Sequence, residues 1–414
     1  MKKIFFHVDV NSAYLSWESV RRLREDSKAM DLREIPSAII GDPSRRSGII
    51  LAKSSMAKKF GVKTGEPVNI SRKKCPLLYT VPADFDLYVE QSNLLMKLLK
   101  EYSPNVYQYS IDEAFIDMSG TGRLFGEPIS CANRIRERIR LELGFTVNIG
   151  IGNNMATAKM AGEFSKPDKT HTLFEDEIEE KLWKLPIEDL FFVGRKSSMK
   201  LKNMGIYTIG DLAKMDIEVV RKKLNKYGEI IHNHANGKDG YEFLKNKTKN
   251  KSIGNSMTAP SDICDTKNAN LAILSLCETV CARLRKRNMK AMIVSIELVD
   301  SNFNRYHKQK KMKNKSNEVS IIYHEAVILF EELWNGKPLR HIGISTGKVE
   351  GEIFEQMNFF DEISSKEEKL YKALDSIREK YGEDSVQRAV FIDNYISHME
   401  GGTSKKKKNG IIYL

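Results

Sequence analysis

Cysteine, proline and tryptophan are scarce in this chain of 414 residues, with 5, 11 and 3 copies respectively. The cysteines are odd in number and scattered, which predicts reduced thiols and argues against a disulfide framework. Cys277 and Cys281 lie close together on a helical pattern, but no second pair of ligands accompanies them. We therefore interpret them as packed thiols and not as a zinc site.

Long apolar runs are also missing. No run approaches the roughly 20 residues that a helix needs to span a bilayer. The apolar run at the amino terminus meets an acid at Asp9, which is too early for the core of a signal peptide. These absences predict a cytoplasmic protein without a membrane segment.

Acidic residues are outnumbered by basic ones. The chain has 67 Lys and Arg against 55 Asp and Glu, which gives a formal net charge of +12. Such an excess predicts a polyanionic partner, with nucleic acid ahead of an anionic membrane. Charge alone is equally compatible with a basic protein that binds no polyanion, so motifs must decide.

The first 168 residues alternate short β-type runs with amphipathic helical patterns, which predicts helices packed on a sheet. Residues 4–8 predict a buried strand, and residues 11–23 predict a helix with Ser12 as a possible N-cap. The β-type runs at 106–111 and 114–118 predict a hairpin.

Two stretches of the chain have a different character. Residues 25–84 predict a small basic module with short strands and one helix at 55–60. Residues 175–245 carry short helical patterns and no convincing strand. The polar, lysine-rich stretch 245–251 predicts a linker.

A second α/β unit is predicted over residues 252–350, with helices at 269–287 and 318–333 and strands at 291–299 and 339–349. The segment 301–317 inside this unit has six Lys and Arg and no acid, and we interpret residues 305–315 as a loop. From residue 351 onward we expect a polar tail, with a charged helix at 366–381.

Three carboxylates stand in apolar surroundings. Asp9 follows the first predicted strand, and Asp112 and Glu113 lie between the two runs of the predicted hairpin. Each acid alone would ordinarily be a surface or capping residue. If the strands are neighbours in one sheet, the three carboxylates converge at its edge and offer the hard oxygen ligands that Mg²⁺ prefers. A two-metal phosphoryl-transfer site, with ions about 3.5 to 4 Å apart, needs such a set.

Two motifs around these acids resemble those of Y-family (translesion) DNA polymerases of the bacterial DNA polymerase IV type. Residues 7–14 (HVDVNSAY) resemble the opening motif of that family, and residues 109–117 (YSIDEAFID) resemble its second metal motif. The two motifs have the family's order and a similar separation. The resemblance covers residues 1 to about 350.

The resemblance implies an α/β (α+β) multidomain fold shaped like a right hand. Its domains, in the family's terms, would be a palm at 1–24 and 85–168, fingers at 25–84, a helical thumb with a helix-hairpin-helix at 169–244, a linker at 245–251, an α/β little finger at 252–350, and a tail at 351–414.

The resemblance also assigns roles to single residues. Asp9, Asp112 and Glu113 would be catalytic and would bind two Mg²⁺ ions, with the main-chain carbonyl of Val10 completing one metal's shell. Tyr14 would be the steric gate, an aromatic ring under the incoming sugar that excludes a 2′-hydroxyl. A core tyrosine is the structural alternative for Tyr14. Asp117, in the same segment, is interpreted as structural.

Triphosphate contacts are expected from two further motifs. Residues 50–62 resemble the fingers motif that grips the triphosphate, but the family often has Tyr and Arg where this chain has Ser55 and Lys58. The planar guanidinium of Arg, which can bind a phosphate through two nitrogens, is thereby replaced by the single ammonium group of Lys. Residues 164–167 (FSKP) resemble the palm lysine motif, so Lys166 is the second expected ligand. Gly150 and Gly152 are not interpreted as a phosphate loop.

DNA contacts are expected in two places. The segment from Asp189 to Ile206 resembles a helix-hairpin-helix, which would present backbone N–H groups to phosphate at a helix N-terminus. The second α/β unit resembles the little finger, which would hold the DNA backbone through its basic segment. The expected DNA-binding residues are Val193, Gly194, Arg195, Lys196, Arg305, Lys308, Lys310 and Lys311.

A short peptide in the tail resembles the bacterial sliding-clamp-binding motif. Its residues are Gln356, Met357, Phe359 and Phe360. The terminal residues 410–414 are a weaker rival, and the lysines at 405–408 are interpreted as a solubilising or nonspecific DNA-binding tail.

We therefore expect a monomeric DNA-directed DNA polymerase that adds dNTPs to a primer on a template, with low fidelity, and tolerates damaged template bases. Two alternatives stay open from the sequence. One is a non-catalytic DNA-damage or clamp-binding protein on a degenerate palm, against which the intact acids argue. The other is a palm-type nucleotide cyclase, which would need neither the basic second unit nor the helix-hairpin-helix.

Overall fold

The structure is a computed structural model that describes residues 3–42, 48–239, 251–351, 365–392, 394–399 and 401. The chain divides into two compact units. Unit 1 comprises Met1–Ile40, Ile49–Ala83 and Leu87–Lys247, and unit 2 comprises Thr248–Leu414 with the short stretches Gly41–Gly48 and Asp84–Asp86.

The strands within the described ranges are, in chain order, β1 (Phe5–Val10), β2 (Ser37–Ile40), β3 (Ile50–Lys53), β4 (Tyr79–Pro82), β5 (Val106–Gln108), β6 (Glu113–Asp117), β7 (Val147–Gly152), β8 (Thr170–Leu173), β9 (Ser252–Ile263), β10 (Met289–Asp300), β11 (Arg305–Ser316), β12 (Leu339–Gly347) and β13 (Glu350–Gly351).

The α-helices of the same ranges are α1 (Ala13–Glu25), α2 (Ser55–Lys59), α3 (Val68–Lys74), α4 (Phe85–Leu99), α5 (Gly122–Phe125), α6 (Pro128–Arg138), α7 (Met155–Glu163), α8 (Arg195–Lys202), α9 (Ile209–Lys214), α10 (Ile217–Ala235), α11 (Thr266–Lys286), α12 (Val319–Leu333) and α13 (Ser365–Tyr381). Single helical turns lie at Ile139–Leu143, Glu175–Glu177, Ile178–Leu182, Ile187–Asp189, Glu383–Ser385 and Ala389–Phe391. None of the helices described here combines the length and the apolar character needed to cross a membrane.

A five-stranded mixed sheet is the centre of unit 1. Its strand order is β5-β6-β1-β7-β8, with β1 antiparallel to both β6 and β7, and β7 parallel to β8. β1 and β7 are buried along their whole length. Each nevertheless carries buried polar side chains, His7 and Asp9 on β1 and Asn148 on β7. The two acidic segments lie at neighbouring strands, β1 and β6, which meets the condition for the three carboxylates to converge.

Helix α7 lies directly on this sheet, because β7 has glycine at positions 150 and 152 where the helix crosses it. A Cβ atom at Gly150 would overlap the carbonyl oxygen of Ala158 and the backbone nitrogen of Gly162. The two backbones can approach this closely only when the strand position is glycine. This packing role accounts for Gly150 and carries the side chains of α7 over β1.

A small three-stranded sheet forms a second layer of unit 1, with the order β3-β2-β4. Helix α1 contacts β2 and β3. Ser54 begins α2, since its hydroxyl oxygen accepts from the Ala57 N–H at 3.0 Å. Ser12 stands at the corresponding position of α1, but its φ is 49° and its side chain makes no capping hydrogen bond. Ser12 is therefore the N-cap residue by position, as predicted, but its hydroxyl does not cap the helix.

The helical part of unit 1 follows β8 and contains α8, α9 and α10. Its core brings together apolar residues of all three helices, among them Leu201, Leu212 and Ile231. Thr208 caps α9 and accepts from the Asp211 N–H at 3.1 Å. The sequence predicts this helical character.

Unit 2 is built on a four-stranded antiparallel sheet with the order β11-β10-β12-β9, and β13 pairs with β10. Helices α11 and α12 cover one face of this sheet. The alternate positions Val294, Ile296 and Leu298 of β10 point toward those helices and are fully or almost fully buried.

β11 corrects the interpretation of residues 305–315 as a loop. Residues 305–316 form a strand that pairs with β10 over most of its length. Lysine is rare in strands, so composition argued against a strand here. The structure places β11 at the sheet edge, where lysines help prevent pairing with other chains. The other edge strand, β9, was also not predicted.

The described part of the predicted tail is folded onto unit 2. Helix α13 packs against α11, and Tyr371 lies under the Arg285 guanidinium, 4.6 Å from the ring centroid. Arg285 also pairs with Asp375 at 2.6 Å. Beside them, Glu278 of α11 is only 3% exposed and pairs with Arg378 at 3.3 Å.

Candidate active site

The β1–β6 register brings the predicted acids to one place. Asp9 lies directly opposite Glu113, so the two side chains share one face of the sheet. Asp112 immediately precedes β6, and its carbonyl oxygen accepts from the Val10 N–H at 3.1 Å. The Ser110 hydroxyl donates to Asp112 Oδ1 at 2.6 Å and orients that carboxylate.

Two lysines neutralise two of these acids. Lys166 Nζ donates to Asp9 Oδ2, and Lys159 Nζ donates to Glu113 Oε2 at 2.7 Å. Burial raises the pKa of the Asp9 carboxyl above its usual value, against the pull of Lys166. Burial also acts to raise the pKa of Glu113, but hydrogen bonds to His7 and Lys159 outweigh it and lower that pKa to about 2.

The donor set fits divalent cations. Asp9, Asp112, Glu113 and the Val10 carbonyl supply only oxygen, the ligand atom that Mg²⁺ prefers. Within the described residues, no three His, Cys, Asp or Glu side chains already stand together as a metal-binding cluster. The ammonium groups of Lys159 and Lys166 lie against the carboxylates instead, so the oxygens already face positive charge.

Lys166 is held in place by a buried asparagine that the sequence analysis missed. Asn148 lies opposite Asp9 in the β1–β7 pairing and is fully buried. Its amide donates to the carbonyls of Ser165 at 2.7 Å and Gly162 at 3.1 Å, while its Oδ1 accepts from the Lys169 N–H at 3.3 Å. A polar side chain within an apolar strand was the available signal.

Tyr14 lies in the first turn of α1 on a rigid aromatic support. Its ring stacks on that of Tyr88, with centroids 4.4 Å apart and an interplanar angle of 6°. Burial raises the pKa of Tyr14, and the nearby charge of Asp112 raises it further. The ring is therefore close to the acids and partly exposed beside them.

Ser55 and Lys58 lie on the exposed face of α2, three positions apart. The structure adds a residue that the sequence analysis passed over, Lys53 at the end of β3. Lys53 donates to Thr64 Oγ1 at 2.9 Å. Burial lowers the pKa of Lys53, and the charge of Lys58 lowers it further.

The expected helix-hairpin-helix contacts divide into exposed and buried residues. Gly194, Arg195 and Lys196 are exposed at the start of α8, where the first N–H groups have no partner within the helix. Val193 differs, since its side chain is packed in the helical core and its N–H donates to the Leu190 carbonyl at 2.8 Å. Val193 is thus unsuited to the predicted phosphate contact.

The basic residues of β11 lie on two different faces of the sheet. Lys308 and Lys310 pair across the sheet with Ile296 and Val294, on the side covered by helices. Their ammonium groups bind Glu332 at 2.9 Å and Glu325 at 2.8 Å. The expected phosphate contacts from Lys308 and Lys310 therefore do not fit their surroundings.

The other two expected residues, Arg305 and Lys311, lie on the opposite, open face of the same strand. Arg305 pairs with Glu297 at 2.5 Å. Lys311 is exposed and forms no ion pair within the described residues. The predicted clamp-binding residues Gln356, Met357, Phe359 and Phe360 lie outside the described residues.

Sequence models of known families match most of the chain. The impB/mucB/samB family matches residues 8–163, and the C-terminal domain of that family matches residues 250–359. A model described as the thumb domain of DNA polymerase-iota matches residues 188–239.

Curated relatives match the chain nearly end to end. DNA polymerase IV of Clostridium acetobutylicum is 40% identical over 394 residues, which cover 95% of this chain and 99% of that protein. DNA polymerase IV of Acetivibrio thermocellus is 36% identical, covering 95% of this chain and 98% of that protein.

A solved structure is similar in fold. A Y-family DNA polymerase chimera, Dbh-Dpo4(243-245)-Dbh, superposes with a TM-score of 0.72 at 22% identity, covering 84% of this chain and 100% of that chain. At this identity the similarity concerns the fold alone.

Proposed function

The chain belongs to the DNA polymerase IV family of Y-family translesion DNA polymerases, and we propose that Asp9, Asp112 and Glu113 are the catalytic acids with which it extends a primer on a DNA template. The observation that carries this proposal is the β1–β6 register, which sets Asp9 opposite Glu113. Beside this pair, the Val10 N–H donates to the Asp112 carbonyl oxygen. Three acids and a carbonyl on two paired strands match what nucleotidyl transfer requires.

Asp9, Asp112, Glu113 and the Val10 carbonyl would hold two divalent metal ions, which we expect to be Mg²⁺. Such ions, when bound, favour deprotonation of the primer 3′-hydroxyl and neutralise charge on the triphosphate. The chain's own task is to fix the oxygens: Ser110 orients Asp112, and Lys159 holds Glu113.

Positive side chains around the acids would bind the dNTP. Lys166 contacts the Asp9 carboxylate, a proposed metal ligand. If a metal ion took the place of Lys166 at Asp9, the Lys166 ammonium would be free to bind a phosphate. Lys58 supplies a second charge, with Ser55 beside it, and Lys53 is a third candidate because the charge of Lys58 acts on it. Tyr14, backed by Tyr88, would lie under the sugar and exclude a 2′-hydroxyl.

Primer extension tests the proposed function. The intact chain with Mg²⁺, dNTPs and a primed template should add nucleotides, both on undamaged DNA and opposite single defined lesions in a template panel. Absence of extension by a chain that still binds the primed template would contradict it.

For the DNA grip, we propose the start of α8 (Gly194, Arg195 and Lys196) and the open face of β11 (Arg305 and Lys311). Phosphate contacts release counterions, so the logarithm of the binding constant falls with the logarithm of salt concentration by about 0.9 for each contact. Lys311 on the open sheet face can reach a phosphate directly, and Arg305 can exchange its exposed Glu297 partner for one. Lys308 and Lys310 are instead directed toward the glutamates of α12.

Two adjacent lysines provide a matched test of that proposal. Lys311→Ala should weaken DNA binding and reduce the salt slope by about 1. Lys310→Ala removes the same charge from the same strand, but on the helix-covered face, and should leave the slope unchanged. Fluorescence anisotropy with labelled primer–template at several salt concentrations measures both. Equal salt slopes for the two variants would contradict this assignment.

We also propose that Gln356, Met357, Phe359 and Phe360 bind a bacterial sliding clamp. Two aromatic residues after a glutamine in a polar stretch support this. Replacing Phe359 and Phe360 with Ala should abolish retention of the chain on an immobilised clamp and leave extension without the clamp unchanged. Retention by the double variant would refute the assignment.

A further inference from the structure

Lys159 has surroundings unlike those of an ordinary surface lysine. Its side chain is 13% exposed. Its ammonium lies 2.7 Å from Glu113 Oε2 and 3.5 Å from His7 Nε2. It also lies 5.3 Å from the ring centroid of Tyr109 and 5.5 Å from that of Phe191. Both distances fall within the range of cation–π attraction.

The two rings come from segments of unit 1 that are far apart in sequence. Tyr109 precedes β6 and packs edge-on against Phe115 of that strand, at 5.6 Å. Phe191 precedes α8, and its N–H donates to the sulfur of Met160, the residue after Lys159, at 3.2 Å. The rings of Tyr109 and Phe191 are themselves 6.2 Å apart, so each ring is fixed independently of the lysine.

We propose that Lys159 is a positioning residue for Glu113, and that Tyr109 and Phe191 hold its ammonium in the one orientation that fixes this carboxylate. This inference rests on the proposed role of Glu113 as a metal ligand. A free lysine has many rotamers, and two aromatic faces restrict them. Phe191 thereby connects the segment that leads into the helix-hairpin-helix with a catalytic acid.

The alternative is that Lys159 only neutralises a buried acid to stabilise the fold. The two roles differ in their effect on metal binding and on rate. A cation beside Glu113 repels a metal ion, so removing it should tighten metal binding. A positioning residue should at the same time be needed for rapid nucleotide addition, and a mere stabiliser should not.

The test measures Mn²⁺ binding to the full chain by electron paramagnetic resonance, without DNA or dNTP, and single-turnover nucleotide addition with Mg²⁺. Lys159→Met should bind Mn²⁺ about tenfold more tightly yet add nucleotides about 10- to 100-fold more slowly, the usual range for a group that orients a metal ligand. The dNTP concentration at half-maximal rate should change little.

Conservative variants separate charge from geometry. Lys159→Arg keeps the charge over the rings and should recover most of the rate. Phe191→Leu keeps the charge and the apolar volume but removes one ring, so Mn²⁺ affinity should stay unchanged while the rate falls about fivefold. These two variants also carry the test if Lys159→Met does not fold.

Lys181→Met is the matched control, since the Lys181 ammonium binds Glu177 and Thr172 and none of the three acids, and it should change neither quantity. A wild-type rate for Lys159→Met, or the same changes for Lys181→Met, would overturn the inference. Glu113→Gln separately checks the premise. If Glu113→Gln binds Mn²⁺ as tightly as the wild type, the proposed metal site fails, whatever Lys159 does.

Discussion

Replacing Asp9 with Asn should slow nucleotide addition by at least about 10³-fold, which corresponds to about 4 kcal/mol of transition-state stabilisation. The substitution keeps the shape of the side chain and removes its charge, so one proposed metal ligand is lost. The fold should persist, because burial already disfavours the charge of Asp9, as its raised pKa indicates. Lys166 retains a second partner in Glu163 at 2.9 Å.

For Asp9→Asn, single-turnover incorporation measures the loss of rate and thermal unfolding measures whether the fold persists, both on one preparation. Asp117→Asn is the control, since Asp117 lies on the same strand as Glu113 but caps a turn by accepting from the Ser119 N–H at 3.0 Å. It should retain nearly full extension. If the two variants lose activity equally, Asp9 has no special role; if Asp9→Asn extends normally, the catalytic assignment is wrong.

Tyr14→Ala should increase ribonucleotide insertion relative to deoxynucleotide insertion on the order of 100-fold, the upper range for discrimination by the shape of a pocket. The stack on Tyr88 prevents the Tyr14 ring from turning away from an extra hydroxyl. Removing the ring leaves room for the hydroxyl. Insertion of matched ribo- and deoxynucleoside triphosphates opposite the same template base measures the ratio.

Tyr14→Phe keeps the ring and removes only its hydroxyl. It should therefore preserve sugar discrimination within a few-fold, which shows whether the ring itself is the barrier. Unchanged discrimination in Tyr14→Ala would mean that another residue contacts the sugar.

The acids could be found from the sequence because each stands at a break in an apolar run. The residues that hold them could not be assigned to the site, although Asn148 was visible as a polar residue within an apolar strand. Lys159 and Asn148 contact the site only because α7 lies directly on β7, which depends on the missing side chain of Gly150. The two glycines of β7 were visible in the sequence, but a close helix approach cannot be distinguished from other uses of glycine without the partner backbone.

The basic segment of unit 2 shows a second kind of limit. Its charge predicted DNA binding, but its composition concealed a strand. Once residues 305–316 are a strand, successive side chains alternate between faces. Lys310 and Lys311 then have opposite environments, although they are neighbours in sequence. Composition predicted the charge of this surface, and only the pairing with β10 assigned each lysine to a face.

Residues 50–62, which resemble the fingers motif, are where the chain departs from its family's pattern. Ser55 and Lys58 replace the Tyr and Arg expected there, and the charge of Lys58 acts on Lys53. Two ammonium groups can replace the charge of one guanidinium but not its planar, two-pronged geometry. We expect dNTP binding to depend on Lys53 and Lys58 together.

The docking of α13 on α11 determines where this protein can be shortened. Glu278 has two arginine partners, Arg378 and Arg388, the latter at 2.5 Å, and both lie beyond residue 351. A chain cut after β13 would lose both and would bare the α11 surface that Tyr371 covers. A shortened version of this chain should therefore keep residues 365–399, since without them unit 2 would expose Glu278 and the surrounding surface of α11.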